Sequence, residues 1–309
     1  MSSVTMQAVR FHDYGGPEML VLEQVARPQP QADQVLIRVL AAGVNPADWQ
    51  MRAGLYKEFA PLPLPWTPGL EASGIVEAAG AGVTTLQRGQ EVYGLVNGAY
   101  AEYAVAPVSD VRPKPGHLTF EQAATVPMGA LTAWQALVED AGVQPGQRVL
   151  VHGAAGGVGH FAVQLARWKG AHVIGTASEG NIVFVRSLGA ENVIDYGAVP
   201  FETVVRDVDV VVDTVGGETL DRSWQILRPG GILVSVAAQV SQEQAEAHGV
   251  KAKTSTRAPA EKLSQITELL ESKQITPVVG AVFSLAEARQ AHELSQTGHG
   301  RGRIVLLTA

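Results

Sequence analysis

The chain of 309 residues contains no cysteine. That absence excludes disulfides, thiolate nucleophiles, iron–sulfur clusters and any zinc site built on sulfur. Aromatic residues make up only 6% and charged residues 17%, against 46% hydrophobic. This is the balance of a globular chain long enough for two domains that each bury a core. Positive charge is the scarcer sign: 23 Lys and Arg face 30 Asp and Glu, for a net charge of -7. A molecule of that sign repels polyanions, so nucleic acid is not an expected partner. No apolar run approaches the roughly 18 residues a bilayer span needs. Met1 to Met6 also lacks the basic and apolar segments of a secretory leader. The sequence therefore predicts a cytoplasmic protein without a membrane partner.

What is present changes texture along the chain. The first third carries short β-branched runs at Val4 to Phe11, Gln34 to Ala41, Ser73 to Ala79, Glu91 to Leu95 and Ala101 to Val105, the spacing of a compact β-rich domain. Residues 61–69 are too rich in proline for a helix or a central strand, which predicts a stiff loop crossing the surface and shaping a cleft. From about Glu121 a helical stretch runs through Trp134 and Val138, and strands then alternate with helix-like segments. Six parallel strands are predicted at Arg148 to His152, His172 to Thr176, Asn192 to Asp195, Val208 to Asp213, Ile232 to Val236 and Val250 to Thr254, enough for a doubly wound sheet. A helix over Glu261 to Ser272, another near Leu285 to Leu294 and a strand over Ile304 to Leu307 complete the reading.

The strongest local signal is an apolar strand, Val149-Leu150-Val151, running into His152-Gly153-Ala154-Ala155-Gly156-Gly157-Val158-Gly159. Gly153 suits a tight turn, Gly156 lets the backbone approach a pyrophosphate, and Gly159 permits close packing of helix on sheet. Val158, Phe161, Ala162 and Leu165 fall at helical spacing, which predicts a helix whose free N-terminal amides meet the phosphates. A glycine turn that only saves space is the competing reading, and the surrounding βαβ series argues against it. A carboxylate expected about 20 residues on, to hold a ribose 2'-hydroxyl, is missing. That stretch reads Gly175-Thr176-Ala177-Ser178, whose small hydroxyls leave room for a 2'-phosphate and favour NADPH over NADH. Glu179 opposes that preference unless it is a solvated residue of the first helical turn.

Four segments together resemble the zinc-independent quinone oxidoreductases of the medium-chain dehydrogenase/reductase superfamily. They are Gly43-Val44-Asn45-Pro46-Ala47-Asp48, Pro68-Gly69-Leu70-Glu71, the glycine-rich run 153–159, and Leu188-Gly189-Ala190. The resemblance spans nearly the whole chain and implies an α/β protein with a GroES-like β-rich catalytic domain over 1–121 and 275–309. A Rossmann domain with a doubly wound parallel six-strand sheet is implied over 122–274. Where zinc-dependent relatives place a catalytic Cys and His, this chain has Asn45 and Leu70, and the four-cysteine structural zinc lobe is missing. The implied reaction is hydride transfer from NADPH to a quinone or an α,β-unsaturated carbonyl without zinc.

The same resemblance implies the site residues. Tyr56, the first catalytic candidate, matches a tyrosine of the quinone pocket whose phenol would donate to the developing oxyanion, with plain packing as its rival role. Asn45 and Asp48 match an Asn-x-x-Asp segment in which the Asn lies near nicotinamide and substrate while the Asp organises the loop. Thr132 matches a threonine facing the nicotinamide, against an ordinary helical hydroxyl bonded to its own helix. For the coenzyme, the match covers Gly153, Ala155, Gly156, Gly157, Val158, Gly159, Thr176, Ser178, Asn181, Tyr196, Thr214, Val215, Val236 and Ala237. Two departures are Asn181, where many members have a lysine for the 2'-phosphate, and Gln50, which replaces another pocket tyrosine. The arginines of Gly298-His299-Gly300-Arg301-Gly302-Arg303, a run that resembles the family's glycine-basic turn before the last strand, read as mostly solvated, with cofactor contact as the lesser reading. A 2-enoyl thioester or other alkene reductase, and a non-catalytic NADPH-binding sensor, remain alternatives. The strand Val250 to Thr254, at a sheet edge, predicts a homodimer.

Overall fold

The computed structural model describes residues 4–308. Contacts divide the chain into two units, Met1–Met128 with Ala260–Glu271 and Pro277–Ala309, and Gly129–Pro259 with Ser272–Thr276.

The first unit begins with an antiparallel pair, β1 (Thr5–Arg10) and β2 (Val21–Ala26). The main strand, β3 (Gln34–Val44), is almost continuously apolar and buried, as a strand with neighbours on both sides should be. Helix α1 (Pro46–Arg52) follows directly, because Asn45 is extended, Pro46 presets the first helical residue and the Asp48 carboxylate accepts the Asn45 amide at 2.8 Å. The proline-rich loop has no regular element of its own, although Trp66 exchanges two backbone hydrogen bonds with Phe11, both 3.0 Å. Strands β4 (Glu71–Ala79), β5 (Glu91–Leu95), β6 (Tyr103–Pro107) and β7 (Val111–Pro113) then build outward from β3, and α2 (Phe120–Ala124) lies against β3 and β4. Helix α3 (Val126–Trp134) carries the chain from the first unit into the second.

The second unit is a parallel sheet of six strands in the order β10-β9-β8-β11-β12-β13. These are β8 (Arg148–Val151), β9 (His172–Ala177), β10 (Asn192–Asp195), β11 (Val208–Asp213), β12 (Leu227–Ser235) and β13 (Lys251–Thr254), each within a few residues of the sequence expectation. Helices α4 (Gly159–Trp168), α5 (Ile182–Ser187), α6 (Phe201–Val204), α7 (Gly217–Ser223) and α8 (Gln242–Ala247) connect them. This is the doubly wound order, which reverses direction beside β8 and brings the carboxyl ends of all the strands to one edge. Helix α4 is buried along the whole of Gly159–Ala166. It packs between β8 and β9 on one side and the helical turn Gln135–Asp140 on the other.

Helix α9 (Leu263–Glu271) belongs with the first unit, although the sequence groups it with the nucleotide-binding half. Tyr93 shares a 2.8 Å hydrogen bond with Thr267, and Arg112 Nε donates to Ser264 Oγ at 2.9 Å. Strand β14 (Val279–Ser284), helix α10 (Ala288–Gln296) and strand β15 (Arg303–Leu307) close that unit, with β15 antiparallel to β3. Among the described residues no helix is long and apolar enough to cross a membrane.

Candidate functional site

The carboxyl edge of the parallel sheet gathers most of the expected coenzyme residues. Gly153, directly after β8 and His152, has φ +64°, and Gly159 lies so close beneath it that a methyl group there would sit 2.1 Å from the Gly153 carbonyl oxygen. Larger residues at these two positions would unfold the turn. Gly156 closes it by donating to the Gly153 carbonyl at 2.9 Å. The amides of Ala155, Gly157 and Val158 donate to no described residue, and Val158 is the N-cap of the ten-residue α4. Unpaired donors at the start of a ten-residue helix, on a glycine-rich loop, fit a dinucleotide pyrophosphate.

Neighbouring strand ends brace this loop. His152 is fully buried between Thr176 Oγ1 at 3.1 Å and Ser223 Oγ at 3.0 Å, and burial pulls its pKa down to about 4 against the charge of Asp213. Thr176 also accepts the Gly153 amide at 3.3 Å and is 3% exposed. Its hydroxyl is therefore engaged with the loop. Ser178 is half-buried and accepts Asn181 Nδ2 at 3.1 Å, while the Tyr196 amide donates to the Ala177 carbonyl at 3.2 Å and its side chain is exposed. Ser178, Asn181 and Tyr196 thus share one corner, with Glu179 exposed beside them.

At the next strands, Thr214 Oγ1 donates to the His152 carbonyl at 2.8 Å. Val215 is exposed, Val236 is half-buried with its amide on the Asp213 carbonyl at 3.0 Å, and Ala237 is exposed. The residue that organises these turns is Asp213, which the sequence reading did not select. Its buried carboxylate takes the amides of Val215 at 3.0 Å and Gly216 at 2.9 Å and the Ser235 hydroxyl at 2.7 Å. An acid closing the apolar run Val210-Val211-Val212 was the available signal.

Thr132 lies on α3, three residues after Gly129. A methyl group at Gly129 would meet the Gly157 carbonyl oxygen at 2.6 Å, so this helix touches the glycine-rich loop at that point. Residues three apart share a helix face, which puts Thr132 on the loop-facing side. Ser223 and Thr267 bond back to the carbonyl four residues earlier. Among the described residues Thr132 has no such bond, and it is half-buried.

In the first unit, Asn45 and Asp48 belong to two linked polar clusters that sequence reasoning found only in part. Asn45 is 3% exposed. Its Nδ2 donates to Glu71 Oε1 at 3.0 Å, and its Oδ1 accepts Arg303 Nη2, which also bonds Glu71 Oε1. Glu71 Oε2 takes the Met128 amide at 2.7 Å. Arg303, expected to be solvated, is 4% exposed and ion-paired with Glu71. A buried guanidinium needs such a partner, and β15 beside β3 brings one to it.

Asp48 is fully buried. Besides the Asn45 amide, its Oδ2 accepts the Tyr100 hydroxyl at 3.1 Å, and Oδ1 has no partner among the described residues. Burial pushes its carboxyl up to about 7, although both hydrogen bonds pull the other way. Behind it Arg52 Nε donates to His292 Nδ1 at 3.3 Å, so His292 carries its proton on Nε2 and donates to Tyr100 at 3.1 Å. Burial, with the Arg52 charge, pulls His292 down to about 3, and burial lifts the Tyr100 phenol well above its usual range. Tyr56 joins neither cluster. It is half-buried, its ring centroid 5.7 Å from that of Phe59, and its hydroxyl donates to Gln50 Oε1 at 2.5 Å.

The groups where zinc-dependent relatives hold their catalytic metal do not fit one. Asn45 Oδ1 is bonded to a guanidinium and Leu70 has no donor atom. Among the described residues no three His, Cys, Asp or Glu side chains cluster for a metal.

Residues 31–116 match the alcohol dehydrogenase GroES-like domain family and residues 188–306 the zinc-binding dehydrogenase family. A quinone oxidoreductase of Mus musculus is 34% identical over 325 residues, covering 98% of each chain. The NADPH-dependent alkenal/one oxidoreductase, chloroplastic, of Arabidopsis thaliana is 32% identical over 316 residues, covering 97% of this chain and 79% of that protein. The solved quinone oxidoreductase of Coxiella burnetii superposes with a TM-score of 0.90 at 35% identity, covering 99% of this chain and 100% of the other. The protein is accordingly an oxidoreductase of a family that uses a nicotinamide cofactor. With both domain families matched in order, the chain belongs to the quinone oxidoreductase branch of the medium-chain dehydrogenase/reductase superfamily.

Proposed function

We propose that this protein is an NADPH-dependent, zinc-independent reductase of quinones or α,β-unsaturated carbonyl compounds. The observation that supports the reading is the Arg303 guanidinium on Asn45 Oδ1 and Glu71 Oε1, a buried cation held by the residue that stands where the resemblance sets a zinc-binding cysteine. When bound, the reduced nicotinamide supplies hydride to a carbon conjugated with a carbonyl, and the carbonyl oxygen gains negative charge that a proton later neutralises. Because that charge is delocalised, oriented hydrogen-bond donors suffice in place of a Lewis acid. In this reading Asn45 is the principal donor to the oxygen and Thr132 orients the coenzyme. Tyr56 with Gln50 shapes the acceptor pocket, and Asp48 is a positioning residue that holds the start of α1.

The second unit binds the coenzyme through the amides of Ala155, Gly157 and Val158. Ser178, Asn181 and Tyr196 accommodate a 2'-phosphate, a preference that the Arabidopsis relative's name supports. That relative also favours an enone as well as a quinone acceptor. The test is NADPH oxidation with 1,4-benzoquinone and with a simple enone, in the presence of a metal chelator. Turnover unaffected by the chelator is the expected result. Coenzyme binding without turnover of either acceptor class would favour a sensor instead.

A further inference from the structure

We propose that Arg303 is a positioning residue for hydride transfer, acting through Asn45. The proposal rests on the reading of Asn45 as the donor to the acceptor's oxygen. An amide side chain can lie in either of two orientations half a turn apart, and its neighbours decide between them. Here one neighbour is a pure donor and the other a pure acceptor: Arg303 Nη2 at Oδ1, and Glu71 Oε1 at Nδ2. Reversing the amide would set its two N–H groups against a guanidinium and its carbonyl against a carboxylate. The pair therefore fixes the orientation, and Glu71 is itself held by the Met128 amide at 2.7 Å.

Two consequences follow for Asn45. One Nδ2–H is bound to Glu71, and the other, with no acceptor among the described residues, is the donor left for a ligand. A charge-assisted bond to Oδ1 also draws electron density from the amide and strengthens that donor, most of all in a buried site. Arg303 is 4% exposed, and its Nε has no partner among the described residues. A buried cation with an unsatisfied donor is costly to keep for stability alone, which is consistent with a positioning role.

The experiment combines Arg303→Lys, Arg303→Met, Asn45→Ala and the double variant Arg303→Met/Asn45→Ala, with kcat and acceptor KM measured alongside the NADPH Kd from calorimetry. Arg303→Met is expected to lower kcat by about tenfold to a hundredfold, the loss that fits one charge-assisted hydrogen bond, with NADPH Kd unchanged. Arg303→Lys recovers part of the loss. In the Asn45→Ala background, Arg303→Met costs nothing further. Equal losses in both backgrounds, or a loss confined to NADPH affinity, would overturn the proposal. If the methionine variant does not fold, selective labelling of asparagine in the unmutated protein decides. The Asn45 side-chain amide should give two distinct, slowly exchanging proton resonances, and rapid exchange or rotation would refute a fixed orientation. Absence of turnover in the unmutated enzyme would instead mark failure of the functional reading itself.

Discussion

Tyr56 Oη donates its only proton to Gln50 Oε1, at 2.5 Å. A phenol so engaged cannot at the same time donate to a substrate oxyanion. Tyr56→Phe is therefore expected to lower kcat by less than tenfold, and Asn45→Ala by more. Gln50→Leu, which frees the Tyr56 proton, should leave kcat unchanged or raise it. Steady-state rates with one quinone decide, and a collapse of activity in Tyr56→Phe would restore the phenol as principal donor.

Asp48 makes stability depend on pH. Its folded pKa, raised to about 7 from an ordinary value of 3.8, means that the folded state holds its proton more tightly than the unfolded chain. Its contribution is complete below about pH 4 and is lost as pH rises through about 7. The cost at alkaline pH is on the order of a few kcal/mol. Asp48→Asn should remove that slope. Urea denaturation of both proteins between pH 5 and 9 tests it, and parallel curves would mean that Asp48 ionises in the fold without penalty.

The corner formed by Ser178, Asn181 and Tyr196 includes no lysine or arginine from those positions. Asn181→Lys should therefore raise the NADPH-to-NADH ratio of kcat/KM by about tenfold or more, the worth of one charge-assisted bond to phosphate. An unchanged ratio would place the 2'-phosphate elsewhere.

Strand β13 lies at the edge of the second unit's sheet, paired on one side only with β12. If two chains pair through that edge, light scattering will give twice the mass of 32.6 kDa, and Ala252→Pro will give the mass of one chain. A monomeric unmutated protein would contradict this.

Legibility in the sequence followed distance along the chain. The glycine-rich turn could be read because strand, turn and helix are contiguous, and the central parallel strands because they carry short apolar runs. Arg303 could not, since its partners Glu71 and Asn45 lie 232 and 258 residues away and nothing local separates a buried arginine from a solvated one. The chain Arg52, His292, Tyr100 and Asp48 was hidden for the same reason. Strand β2 escaped because it is mostly exposed, and β14 because Gly280 interrupts its apolar pattern. For Thr176, its place at a strand end is visible in sequence, whereas its bond to His152 is not.

The account stands on the amides after Val151 holding the coenzyme diphosphate without help from a metal. Calorimetric titration of NADPH into protein stripped with a chelator tests this directly. The expected result is saturable binding, one coenzyme per chain, abolished by Gly159→Val. No heat of binding, or binding that returns only when zinc is restored, would contradict it.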